Sequence, residues 1–216
     1  MTLKENILTS ARFAVSVAEP EQLNAATLVM VPEVAFVGRS NAGKSSAINT
    51  LAHQRQLAFA SKTPGRTQML NFFELPERVD GVDIVRGYLV DLPGYGFARV
   101  DEETRERWNT LIGGYLQTRR MLVGVVVVVD ARRGLQPVDE SLLDFAQARE
   151  RPDQLRIHLL LTKADQLGTM ARRAALAAAE ARAQELPMPT SVQLFSSLKR
   201  EGVGELREAV LQMIDG

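Results

Sequence analysis

The stretch VAFVGRSNAGKSSAINTL, Val34 to Leu51, changes character at its midpoint. Its first residues are apolar without alternation, as in a strand buried on both faces. A polar loop bracketed by Gly38 and Gly43 follows, and the remainder has helical spacing. Gly38-Arg39-Ser40-Asn41-Ala42-Gly43-Lys44-Ser45 matches G-x-x-x-x-G-K-[ST] in the strand-then-helix setting that the pattern requires. The glycines let the backbone curl so that successive N–H groups point at phosphate oxygens, and the helix N-terminus adds partial positive charge. Lys44 is then placed to reach the β- and γ-phosphates, the Ser45 hydroxyl to ligate Mg2+, and Ser46 to complete the loop's contacts. The stretch reads as a nucleotide-binding phosphate loop.

Working outward, apolar runs alternate with helical patterns. VGVVVVVD (123–130), RIHLLLT (156–162) and the shorter SVQLFS (191–196) read as buried strands. Helical patterns lie near 44–52, 101–119, 138–149, 169–186 and 203–214. That alternation implies parallel strands joined by helical crossovers. Residues 69–91 break it with two strand-like runs around Asp80-Gly81, a dipeptide suited to a two-residue hairpin. The expected fold is therefore α/β and three-layered, a mostly parallel six-stranded sheet with one antiparallel strand and helices on both faces. At 216 residues a single domain is expected over 1–216, with residues 1–32 as an extension packed on it or flanking it. Residues 53–70 lack periodicity and are rich in polar residues, Gly and Pro, which in a compact domain marks a functional or disordered loop.

Composition narrows the function classes. Lys+Arg and Asp+Glu both number 26, so the chain is not built chiefly to coat nucleic acid, and any RNA contact must come from a local patch. DNA is not an expected partner. The absence of cysteine excludes thiolate chemistry and Cys-based zinc sites, and His53 and His158 lie too far apart in sequence to suggest a metal cluster. The first twenty residues carry charges where a signal peptide needs an apolar core, and the apolar run 121–129 is too short to cross a bilayer. A cytoplasmic protein without a membrane partner is expected.

Three further motifs end apparent strands. VDLPGYG (90–96) places Asp91 where it can hold Mg2+ through water, and the Gly94 N–H where it can bond a γ-phosphate. LLLTKAD (159–165) carries Thr162, Lys163 and Asp165; the Asp165 carboxylate can accept from N1–H and the exocyclic amine of guanine, a donor pair that adenine lacks. The stem of Lys163 would cover the base plane. SSLK (196–199) places Ser196, Ser197 and Leu198 where their backbone can meet the base from the other side. Ligands of open α/β sheets bind at this carboxyl edge.

Taken together, PEVAFVGRSNAGKSS, KTPGRTQ, DLPGYGFA, VVVVVDARRG and LLTKAD make the chain resemble the translation-factor-related P-loop GTPases with a Ras-like G domain. Within them it resembles the EngB (YihA/YsxC) family of bacterial ribosome-biogenesis GTPases, from about Phe13 to Leu211. The resemblance implies GTP and GDP as ligands, Mg2+ as cofactor, and a precursor of the large (50S) ribosomal subunit as partner, through rRNA or ribosomal proteins. It also implies a role in cell division and septation. It assigns Thr67, in the Gly65-containing first switch, to Mg2+ and the γ-phosphate, with Thr63 the poorer candidate, and makes 94–100 the second switch. Lys44, Thr67 and Gly94 thereby carry the catalytic roles. Tyr95 stands where Ras-type proteins have a water-positioning glutamine, so intrinsic hydrolysis should be slow. Thr162 replaces an Asn tether. Asn41 sits where potassium-activated relatives ligate K+, or else merely shapes the loop.

Some residues have two readings. Arg39 and Arg66 can face phosphates or a partner, or be solvated. The pairs Arg119-Arg120, Arg132-Arg133, Arg172-Arg173 and Lys199-Arg200 can assemble an RNA patch or be scattered surface charge. Trp108 and Tyr115 read as packing residues rather than stacking platforms. Beside the switch stand two alternatives: a GTP-binding scaffold with negligible turnover, and an ATP-dependent small-molecule kinase, which the Thr-Lys-Ala-Asp motif argues against.

Overall fold

The computed structural model of the chain describes residues 7–18, 23, 28–58, 69–95 and 109–216. In chain order the elements are β1 (Arg12–Val17), β2 (Glu33–Gly38), α1 (Lys44–Leu51), β3 (Leu70–Val79), β4 (Val82–Asp91), α2 (Gly114–Thr118), β5 (Leu122–Asp130), α3 (Pro137–Gln147), β6 (Arg156–Thr162), α4 (Thr169–Glu185), β7 (Thr190–Leu194) and α5 (Val203–Asp215). A π-helical turn at Asn109–Gly113 leads into α2.

The strands form one sheet in the order β1-β3-β4-β2-β5-β6-β7. Only β3 runs against its neighbours, pairing antiparallel with both β1 and β4, while β4, β2, β5, β6 and β7 are parallel. The sheet thus has seven strands where the sequence suggested six. The addition is β1, inside the extension expected to flank the domain, where Phe13, Val15 and Val17 recur at period two. The β3–β4 hairpin turns at Asp80 (φ 50°) and Gly81 (φ 82°), both in the left-handed region that a two-residue turn demands. Pro76, which cannot donate to the ladder, sits at a register irregularity beyond the span of β1.

Strand periodicity builds the three layers. Ala35, Val37, Val125, Val127, Val129, Leu159 and Leu161 point to one face and bury against Tyr115, Leu116, Leu142, Leu143 and Ala179 of α2, α3 and α4. Val34, Phe36, Val126, Val128 and Leu160 point to the other, against Ile48 and Leu51 of α1 and Leu206, Val210 and Ile214 of α5. This double burial is why those strands read as unbroken apolar runs. Each fully buried Val, Leu, Ile or Phe contributes about 1.5–3 kcal/mol.

The amino end of the sheet is closed by polar bonds. Glu33, which is fully buried, accepts from Arg119 Nε (2.9 Å) and Tyr115 OH (2.9 Å), and Arg119 also donates to the Leu23 carbonyl (2.8 Å). Arg149 donates to the carbonyls of Leu116 and Arg119. This network fixes α2 beneath the sheet and leaves the opposite, carboxyl edge to the loops. Among the described residues no helix is long and apolar enough to cross a membrane.

Candidate functional site

The phosphate loop leaves β2 at Gly38, where the backbone passes so close to β5 that a Cβ would meet the Val128 carbonyl oxygen at 2.5 Å. The loop turns through positive φ at Asn41 (63°) and Gly43 (105°), and Ala47 N–H to the Gly43 carbonyl (2.8 Å) begins α1. Among the described residues none accepts from the N–H groups of Asn41, Gly43, Lys44 or Ser46. These are the orphan donors of a loop and helix start, groups of the kind that can bind anionic oxygens.

The Asp91-Leu92-Pro93-Gly94 segment runs beside that loop. Leu92 N–H bonds the Phe36 carbonyl (3.0 Å), and Ser40 N–H bonds the Tyr95 carbonyl (2.9 Å). Asp91 ends β4 nearly buried, and its carboxylate pairs with the Lys44 ammonium. Hence the groups expected at the phosphates and at Mg2+ lie together at one strand edge.

The other end of the cleft is tied to the loop from β6. Thr162 Oγ1 lies within bonding reach of the carbonyls of Ala42 (2.5 Å) and Val129 (3.0 Å), so a hydroxyl supplies the tether that an Asn amide gives elsewhere. Lys163, at φ 57°, donates from Nζ to the Asn41 carbonyl (2.6 Å) and Asp130 Oδ2 (3.0 Å). Ser196 Oγ donates to Asp165 Oδ1 (2.5 Å) and accepts from Lys199 N–H (3.1 Å). Asp165 is thereby oriented with one oxygen engaged. Ser197 is half-buried and Leu198 is exposed.

A family model described as a 50S ribosome-binding GTPase matches residues 33–163. The probable GTP-binding protein EngB of Polynucleobacter asymbioticus is 44% identical over 217 residues, covering 96% of this chain and 93% of that protein. The protein of the same name from Aromatoleum aromaticum is 46% identical over 204 residues, covering 94% and 88%. The chain belongs to the EngB family of GTPases.

Solved structures agree on the fold. A probable GTP-binding protein engB superposes with a TM-score of 0.58 at 19% identity, covering 85% of this chain and 98% of that one. A bacterial selenocysteine-specific elongation factor gives 0.60 at 18%, covering 86% of this chain and 29% of that one. The kinase alternative falls away, because the chain is an EngB GTPase that binds guanine nucleotide and hydrolyses GTP.

Within this EngB chain, several residues differ in role from the sequence reading. Tyr95 is turned inward: its hydroxyl donates to Asp139 Oδ1 (2.5 Å), and Asp139 Oδ2 accepts from Gln136 N–H (2.8 Å) at the start of α3. Burial, followed by the charge of Asp139, pushes the Tyr95 phenol far above its ordinary value, and burial also holds the Asp139 carboxyl above its own. Tyr95 is therefore a neutral anchor on α3. The basic pairs are also thinner than they read. Arg119 is committed to Glu33, Arg132 to Asp130 and Arg172 to Glu201. Arg39 is half-buried, not a plain surface residue. Tyr115 is fully buried, as a packing residue should be. Trp108, Thr63, Gly65, Arg66, Thr67 and residues 96–100 lie outside the described residues. No motif reading gave a role to the side-chain carboxylates of Asp130 and Asp139 or to the Arg132–Asp130 tie, and Ser196 was expected to act through its backbone, not its hydroxyl; the position of Asp130 at a strand's carboxyl end was the available signal.

Proposed function

We propose that this EngB GTPase is a nucleotide-dependent switch in assembly of the 50S ribosomal subunit, acting in the cytoplasm on a precursor particle, with loss of normal division and septation following when it fails. The observation that carries this reading is the match of residues 33–163 to a family described as 50S ribosome-binding. No membrane or DNA contact belongs to it.

At the site, the amides of Gly38 to Ser46 cradle the phosphates, while Arg39, Ser40 and Ala42 shape the cradle. Lys44 leaves Asp91 for the β- and γ-phosphate oxygens. That exchange frees the Asp91 carboxylate to hold Mg2+ through water, beside the Ser45 hydroxyl and Thr67. Hard oxygen donors of this kind suit Mg2+, which keeps several waters and borrows phosphate oxygens. Bound there, the ion would neutralise charge on the transferring phosphoryl group. Asp165 accepts the guanine donor pair, Lys163 and Thr162 hold its wall, and Ser196 to Leu198 close the far side. Gly94 and Gly65 let the switch backbones approach. Asn41 would be the residue to hold K+, which would supply the charge that an arginine finger supplies elsewhere, unless Asn41 only shapes the loop; equal GTPase rates in KCl and NaCl would remove that element.

Co-sedimentation with purified 50S particles tests the whole reading. Binding with a GTP analogue well above binding with GDP is expected, whereas equal binding, or none in either state, defeats it. The inward anchoring of Tyr95 favours a second reading, a GTP-bound scaffold with negligible turnover. Single-turnover hydrolysis that stays flat on adding 50S particles supports the scaffold; acceleration supports the switch.

A further inference from the structure

The DARRG segment after β5 belongs to no nucleotide-binding motif, yet its first and third residues sit against the guanine end of the cleft. Asp130 is the last residue of β5 and is nearly buried. Arg132 grips its carboxylate from three directions, through its own N–H (3.1 Å), Nε (2.9 Å) and NH2 (2.6 Å). The remaining contact of Oδ2 is the ammonium of Lys163, at 3.0 Å, and the same ammonium donates to the Asn41 carbonyl at 2.6 Å. Arg132 NH1 continues the chain of bonds to Gln166 Oε1 (2.6 Å), just past Asp165. These hydrogen bonds, with the Arg132 bonds foremost, hold the Asp130 carboxyl far below its ordinary range, so it is charged throughout the working pH range.

We propose that Asp130, clamped by Arg132, is a positioning residue for guanine binding that acts through Lys163. The physical need is specific. A lysine stem has four rotatable carbons and a compact, strongly hydrated charge, and beside a triphosphate that charge is drawn to the phosphates. Lys44 already serves the phosphates. A fixed carboxylate on the far side of Lys163 holds its ammonium at the loop carbonyl, so that the alkyl stem lies along the wall where the base plane rests. A bare Asp130 could itself swing; the bonds from Arg132, of which two are the parallel fork of a guanidinium on a carboxylate, remove that freedom. Arg132 thus acts two steps from the ligand and Asp130 one step. The inference rests on the reading of Lys163 as the cover of the guanine.

The test uses the full chain with fluorescent GDP and stopped-flow dissociation. Asp130→Asn keeps the shape and one acceptor but removes the charge. Losing one charge-assisted bond is expected to speed GDP release about tenfold. The decisive measurement is a cycle with Lys163→Met: in that background Asp130→Asn should change the release rate less than twofold, because its target is gone. Arg132→Ala should speed release to a smaller extent, with Arg132→Lys restoring part of the loss. Full, additive effects of Asp130→Asn and Lys163→Met would overturn the proposal in favour of a merely structural role. So would an unchanged release rate in Asp130→Asn with normal thermal unfolding. Failure of the wild-type chain to bind GDP, or normal release from Lys163→Met alone, would instead strike the reading of the guanine site.

Discussion

Replacing Tyr95 by Phe removes the hydroxyl that ties the segment after β4 to the start of α3. The ring stays, so the packing of a nearly buried side chain is preserved. What is lost is the 2.5 Å bond to Asp139, whose other oxygen keeps the Gln136 N–H. A hydrogen bond to a charged group is worth about 1.5–3 kcal/mol and a neutral one about 1 kcal/mol, so the loss depends on whether Asp139 is ionised. The sign follows from linkage. Burial raises the Asp139 carboxyl above the 3.8 of an ordinary one, so the native state binds its proton more tightly than the unfolded chain. Stability from this group is therefore greatest below that ordinary value and declines as pH rises through the raised one. Deleting the phenol removes a donor to the carboxylate and steepens the decline. The variant should lose about 1 kcal/mol near pH 4 and about 2–3 kcal/mol near pH 7.5. For 216 residues the latter is a fall in Tm of roughly 4–10 °C. Urea unfolding of the nucleotide-free protein, followed by circular dichroism at the two pH values, reads it directly. An equal loss at both, or a larger loss in acid, would refute the reasoning.

Three other perturbations have defined outcomes. Glu33→Ala strands Arg119 and Tyr115 beneath the sheet and should cost about 3–5 kcal/mol, measured as a lowered denaturation midpoint, while Glu33→Gln should cost less. His158 is buried between Ser191 Oγ (2.8 Å) and Gln193 Oε1 (2.9 Å), and burial lowers its pKa to about 4. Its stabilisation is complete above the unfolded value of about 6.5 and is lost as pH falls to about 4, worth roughly 3 kcal/mol, so His158→Gln should flatten stability across that interval. Asp165→Asn should weaken GDP binding about 100-fold and turn preference toward xanthine nucleotides in calorimetry; unchanged GDP affinity would refute the guanine assignment.

The parallel core was readable because β2, β5 and β6 are buried on both faces and carry no alternation to confuse with a helix. The hairpin was readable because Asp80-Gly81 leaves few alternatives. The strand β1 was not, since RFAVSV places its apolar residues on one face of an edge strand with Phe13 exposed, a weaker signal than a run of valines. At the site, the phosphate loop is encoded locally, and four fixed residues within eight positions, Gly38, Gly43, Lys44 and Ser45, suffice to find it. The couplings are not local. Tyr95 meets Asp139 across 44 positions, Lys163 meets Asp130 across 33, and Glu33 meets Arg119 across 86. Spacing within a motif says nothing of such partners, which is why Arg119, a tie beneath the sheet, and Arg132, an exposed residue engaged with Asp130, both read as scattered charge or an RNA patch.

The pairing of β1 with β3 has a bearing on how the molecule comes together. Arg12 lies opposite Glu74, so the edge cannot close until more than sixty further residues have been made, and β3 must first zip to β4 around its tight turn. Loop closure over that span is entropically slow compared with hairpin formation. On an emerging nascent chain, the β1 segment should therefore wait unpaired and dock late.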